Sequence, residues 1–282
     1  MNKHKPVVRF DAMGRILSRI IWLFLFLFCS GCMKKIPYEQ SHVNAFLDRK
    51  ENLQLHFSTP KGKQVAFYVP PLMHPNKAPE KLAILYPGIE SVALGWLSFI
   101  KLEEDPTAGY LLIDYPGRGY SEGRMNPNKL YLNTEGALDA LANHLGIKTL
   151  EAEISLMGHS FGSGSALQFA ARSHVARIVL VAPFNTLRKA LAQMSLILSW
   201  VTPAQINNVK LIEELLQRED PPEITIIHGA QDASLPVEMG RELANLNPDL
   251  IQYFEIPQGD HSSILTTHRD LIFYSLLGIL HR

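Results

Sequence analysis

Cysteine is almost missing from this 282-residue chain: there are two, Cys29 and Cys32, both near its start. A disulfide framework is therefore excluded as the source of the fold's stability. Charge of one sign is missing as well. The chain carries 27 Lys and Arg against 27 Asp and Glu, a formal net charge of zero, which gives no electrostatic case for a nucleic-acid partner or for attraction to a membrane surface. There is no internal repeat, low-complexity tract or long run of like charge. No two of the 11 histidines stand four residues apart, so no dedicated metal site and no cofactor are expected. What the chain does have is apolar residues, 46% of the total against 19% charged. That balance describes a globular protein with a sizeable core, in one large domain or two small ones.

Both cysteines close the apolar run "IIWLFLFLFCSGC", which follows Arg15 and Arg19. The run is short for a bilayer-spanning helix, and a basic start, an apolar centre and a small-residue end are the parts of a secretory signal peptide. The alternative is a short anchor that stays attached. "CSGC" resembles the lipobox of bacterial lipoproteins. The resemblance implies cleavage after Gly31, diacylglycerol and fatty acid (palmitate) attachment at Cys32, and export to a bacterial membrane. Met33 rather than aspartate after Cys32 implies the outer membrane where there is one. Residues 1–31 are then the signal, 32–50 a polar tether and 51–282 the domain. Asp11 ahead of the apolar run suits a translation start at Met13.

Beyond the tether, short apolar runs alternate with helical patterns. Eight strands are expected: "LQLHF" from Leu53, "QVAFYV" from Gln64, "KLAILY" from Lys81, "GYLLIDY" from Gly109, "EISLMG" from Glu153, "ARIVLVA" from Ala176, "EITIIHG" from Glu223 and "IQYFEI" from Ile251. The later runs are nearly continuous Ile, Leu and Val, as in a parallel sheet covered on both faces. Between them, "TEGALDALANHLG" reads as a helix capped by Thr134 and ended by Gly146, and "GSALQFAARSH" as another. The fold class is thus α/β, a mostly parallel eight-stranded sheet flanked by helices.

The chemistry concentrates at "GHSFG", Gly158 to Gly162. Alone, G-x-S-x-G is a weak signal. Directly after a strand and before a helix it becomes a nucleophile elbow, with the serine hydroxyl of Ser160 thrust out of a strained turn and the helix N-terminus favouring an oxyanion. A serine hydroxyl needs a base. Asp232 in "IIHGAQDASLPV" and His261 in "GDHSSIL" follow in the chain order Ser, acid, His, each just past a strand. Asp260 is the alternative acid. His159 reads as packing beside the elbow, and Asp114 and Arg118 in "DYPGRGYSEG" as loop structure.

Together with "LYPGIES" and "LLIDYPGRGYSEG", these stretches resemble the α/β-hydrolase family across roughly residues 50–282. The resemblance implies Ser160 as nucleophile, His261 as general base and Asp232 as the acid that orients it. It also implies backbone oxyanion donors at Phe161 and, after "LYPG", at Ile89. The activity implied is cleavage of a small-molecule acyl ester or related compound through an acyl-enzyme. A peptidase or thioesterase of the same fold, or a non-catalytic binding lipoprotein, remain the alternatives. Residues 183–222 read as a helical cap. Its Leu187, Leu191, Met194 and Leu198 fall on one helical face near Trp200, serving either as packing or as an acyl-binding wall.

Overall fold

The computed structural model describes residues 36–194 and 206–279. The leader, Cys29, Cys32, Leu198 and Trp200 lie outside the described residues. All eight expected strands form, as β1 (Leu53–Thr59), β2 (Gly62–Val69), β3 (Lys81–Tyr86), β4 (Ala108–Ile113), β5 (Glu153–His159), β6 (Arg177–Val181), β7 (Glu223–Gly229) and β8 (Ile251–Ile256). They make one sheet in the order β1-β2-β4-β3-β5-β6-β7-β8. The pairs β1–β2 and β2–β4 are antiparallel and every later pair is parallel.

The apolar runs are continuous because both faces are covered. Leu82, Ile84 and Tyr86 point into one core layer with Leu141, Leu167, Ile212 and Leu243. The intervening Ala83 and Leu85 point into the other, with Phe46, Leu94, Trp96, Phe273 and Leu276. Successive strand residues face opposite sides, so β2 to β8 each feed both layers, while β1 gives Leu53, Leu55 and Phe57 to the first alone. Burying a side chain of this size contributes about 1.5–3 kcal/mol.

The covering helices are α1 (Gln40–Leu47), α2 (Tyr131–His144), α3 (Phe161–Ala170), α4 (Leu187–Met194), α5 (Asn208–Leu216), α6 (Glu238–Ala244), α7 (Ile264–Thr267) and α8 (Arg269–Leu277), with a 3₁₀ helix at Ala93–Phe99. Helix α2 ends as expected at Gly146, whose φ of +67° suits glycine. Its start differs from expectation. Thr134 lies inside the helix, fully buried, and its hydroxyl donates to Tyr86 Oη at 3.0 Å. A tertiary partner takes the hydroxyl that a cap would have used. In the 183–222 stretch, α5 packs Ile212 and Leu215 into the core as the crossover helix from β6 to β7. Ahead of α5, Thr186 bridges Asn207, and Leu187 N–H donates to the Ile206 carbonyl at 2.9 Å.

From β3 the chain first adds β4 on one side, then crosses back to add β5 on the other. The C-terminal ends of β3 and β5 therefore flank the switch point, where open α/β sheets leave a crevice. Tyr86 and Gly158 are register partners at that edge.

Candidate active site

Strand β5 ends at His159 and α3 begins at Phe161, so Ser160 alone makes the reversal. Its backbone adopts φ +54°, ψ −119°, a conformation that costs an L-residue about 1–3 kcal/mol and persists only when its surroundings enforce it. The enforcement is visible. Ser160 N–H donates to the Val181 carbonyl at 2.9 Å, and the Ser160 carbonyl accepts from Ser163 Oγ at 2.7 Å. Asn208 Nδ2 donates to Ser163 Oγ at 3.2 Å, tying α5 to the turn. The flanking glycines are sterically required. A Cβ on Gly158 would stand 2.5 Å from the Gly162 carbonyl oxygen, and one on Gly162 would overlap the carbonyl oxygens of Tyr86 and Pro87.

The structure brings the three side chains singled out in the sequence together. His261 Nε2 lies 2.9 Å from Ser160 Oγ, and its Nδ1 lies 2.7 Å from Asp232 Oδ2. Facing a carboxylate, Nδ1 carries the proton and leaves Nε2 to accept from the hydroxyl. Asp232 hangs from the loop after β7. Its Oδ1 accepts from the N–H groups of Ser234 and Leu235, both at 2.8 Å. Burial works to raise this carboxyl, yet the hydrogen bonds from His228, His261 and Leu235 outweigh it and hold Asp232 well below the usual carboxylate range. It is therefore ionised wherever the ring beside it needs an anion. Ser160 and His261 stay partly exposed while Asp232 is buried, an order that leaves the hydroxyl reachable and the anion dry.

Two further histidines frame this line. His159, 6% exposed, places Nε2 2.8 Å from the His261 carbonyl and its ring edge-on to Trp96. Burial, and then the neighbouring His261 ring, push its pKa down to about 4. His228, fully buried, sits with Nε2 3.3 Å from Asp232 Oδ2 and 3.0 Å from the Leu235 carbonyl. No sequence motif assigns His228 a role; its only sign there is a histidine at the end of a buried strand, four residues before the acid. Asp260 turns away. Its Oδ1 accepts from Ser262 and Ser263 N–H at 2.9 and 2.8 Å, a local turn on an exposed loop.

Phe161 is the first residue of α3, where N–H groups have no intrahelical acceptor. The loop after β3 passes close by: a Cβ on Gly88 would be 3.7 Å from Ser160 Cβ and 3.2 Å from His159 Nδ1. Ile89 follows directly. Asp114 and Arg118 lie behind this loop rather than among the reactive groups; Arg118 Nη2 donates to the Ile89 carbonyl at 2.9 Å. A cavity of about 130 Å³, lined by Thr59, Lys61, Pro116, Lys129 and Asn133 among others, lies away from Ser160. Among the described residues no cluster of His, Cys, Asp or Glu is arranged to hold a metal ion.

A mostly parallel eight-stranded sheet, helices on both faces and a serine on a strained turn at the switch point define the α/β-hydrolase fold. A family model described as alpha/beta hydrolase fold matches residues 84–211, which include Ser160. Solved structures agree. An α/β hydrolase from Vibrio vulnificus superposes with a TM-score of 0.67 at 17% identity, covering 98% of this chain and 99% of that one. The Pyrococcus furiosus esterase Pf2001 gives 0.66 at 15% identity, over 88% of this chain and 97% of the esterase. An acylaminoacyl peptidase from Pyrococcus horikoshii gives 0.61 at 10% identity, over 84% of this chain and 46% of the peptidase. Among curated proteins, none matches the sequence.

Proposed function

We propose that the chain is a serine hydrolase that cleaves esters or related acyl compounds through an acyl-enzyme. One observation carries this reading: the unbroken hydrogen-bonded line from Ser160 Oγ through the His261 ring to Asp232 Oδ2. In the proposed reaction Ser160 Oγ attacks the acyl carbon as His261 Nε2 takes its proton. Asp232 holds the ring in the required tautomer and stabilises its positive charge. The carbonyl oxygen becomes an oxyanion received by the N–H groups of Phe161 and Ile89. On collapse, the C–O bond to the leaving group breaks and the His261 proton passes to the leaving oxygen. Water then repeats the sequence, releasing the acid and restoring Ser160.

Esters are placed first because an ester asks less of these groups than an amide, whose leaving nitrogen must be protonated before it departs. A peptidase or thioesterase would use the same atoms. The signal and lipobox resemblance supports an exported protein anchored through lipidated Cys32; among the described residues no helix is long and apolar enough to cross a membrane.

The test is kinetic. Against acyl esters of graded chain length, the wild type should turn over, and Asp232→Asn and His261→Ala should each lower kcat by about a thousandfold or more. Near-normal turnover in folded His261→Ala would overturn the assignment. No turnover of any ester, thioester or peptide by the wild type would favour the binding protein.

A further inference from the structure

The turn after β4, "DYPGRG", is tied by side chains to the loop after β3. Three of its side chains, all buried, reach that loop. Tyr115 Oη donates to the Pro87 carbonyl at 2.8 Å, Arg118 Nη2 donates to the Ile89 carbonyl at 2.9 Å, and Asp114 Oδ1 accepts from Ala93 N–H at 2.8 Å. The carbonyl between the first two, that of Gly88, accepts from Ser91 N–H at 3.1 Å. Three successive peptide carbonyls are thus held, two of them by side chains from one turn.

A trans peptide is planar, with its N–H pointing opposite to its C=O. The Gly88 carbonyl, held by Ser91 N–H, sets the plane of the peptide between Gly88 and Ile89, and the flanking peptides, held by Tyr115 and Arg118, keep that plane from turning. The direction of the Ile89 N–H follows. This is the loop whose Gly88 runs against Ser160 and His159. Tyr115 is also joined to the elbow's own helix, since Ser165 Oγ of α3 donates to its hydroxyl at 3.1 Å and its ring meets Phe161 edge-on with centroids 5.6 Å apart. One side chain therefore touches both segments that carry the proposed oxyanion donors.

The geometry points to Tyr115 and Arg118 as positioning residues that aim the Ile89 N–H at the oxyanion and keep it in register with Phe161. This inference rests on the hydrolase reading. Neither residue touches the reacting atoms. Both act through the loop, and a donor misaimed by a few tenths of an ångström loses its value in the transition state while ground-state binding is little affected.

The experiment compares wild type with Tyr115→Phe, Arg118→Lys and Arg118→Met, using the best ester and the trifluoromethyl ketone of the same acyl group. The ketone forms a tetrahedral adduct with the serine and presents an oxyanion. In each folded variant kcat should fall about 10- to 100-fold with KM within about twofold. Ketone affinity should fall by the same factor as kcat/KM, and the shape of the pH–rate profile should not change, because the His261–Asp232 pair is intact. Tyr115→Phe removes one oxygen and keeps the ring, so it reports even where the Arg118 variants do not fold. Unchanged kcat and ketone affinity in folded Tyr115→Phe would overturn the inference while leaving the hydrolase reading standing. A wild type that neither hydrolyses esters nor binds the ketone would overturn both.

Discussion

His159 donates its Nε2–H to the main-chain carbonyl of His261 across 2.8 Å, so the residue before the proposed nucleophile steadies the proposed base. A carbonyl only accepts, which puts the proton of the neutral ring on Nε2. With its pKa pushed down to about 4 by burial, the ring stays neutral through the working range and keeps this bond. His159→Phe should preserve the packing on Trp96 and lose the bond, letting the His261 loop shift. A fall in kcat of about tenfold is expected, read in steady-state kinetics beside a melting curve. An unchanged kcat would reduce His159 to packing alone.

Two buried groups set opposing pH dependences of stability. Asp114 is pushed up to about 7 by burial, against the Ala93 N–H bond and the Arg118 charge. The folded state therefore holds this proton more tightly than the unfolded chain, and its contribution is lost as pH rises from about 4 to about 7. His159 runs the other way: the unfolded chain takes its proton first, so stability is lost as pH falls from about 6.5 to about 4. Each effect is on the order of 3–4 kcal/mol. Urea unfolding across pH 4.5–7 should show stability climbing with pH in Asp114→Asn and declining with pH in His159→Phe. Parallel pH curves for the three proteins would contradict both assignments.

Glycines at the elbow and in the 3₁₀ helix differ sharply in what they permit. Gly162 abuts the Tyr86 and Pro87 carbonyls, whereas a Cβ on Gly95 meets nothing within 4 Å. Gly162→Ala should cost about 1–3 kcal/mol through overpacking against backbone, and more where the β3 loop cannot yield. Gly95→Ala should be neutral or stabilising by up to about 1 kcal/mol. Equal melting temperatures for the two variants would contradict the close approach at the elbow.

Much of this was legible in the sequence because it is local. Strands with near-continuous Ile, Leu and Val, and a serine between glycines at a strand–helix junction, are patterns of spacing. The pairing of Ser160, His261 and Asp232 was legible through chain order, since each follows a strand of a parallel sheet and such ends share one edge. What escaped was set by tertiary partners. Thr134 looked like a cap until Tyr86 supplied an acceptor, and His228 gained meaning only when Asp232 folded back beside it. Arg118 read as loop structure and Tyr115 carried no signal, because their acceptors lie 28 and 29 positions away, on a different strand's loop.

Lipidation makes a prediction independent of the catalytic one. Cys32→Ala should leave the protein unprocessed or free of stable membrane association, while the purified domain keeps its ester turnover. Intact-mass measurement of the membrane-bound wild type should show acyl mass on an N-terminal Cys32. An unmodified Cys32 in that fraction would refute the anchor.

The central claim is that Ser160 is a nucleophile activated by His261. A fluorophosphonate captures such a serine by displacement of fluoride, and peptide mass spectrometry locates the adduct. The account predicts a single stoichiometric adduct on Ser160, absent in Ser160→Ala and at least about a hundredfold slower to form in His261→Ala. A folded wild type that stays unlabelled, or that is labelled equally fast without His261, would contradict it.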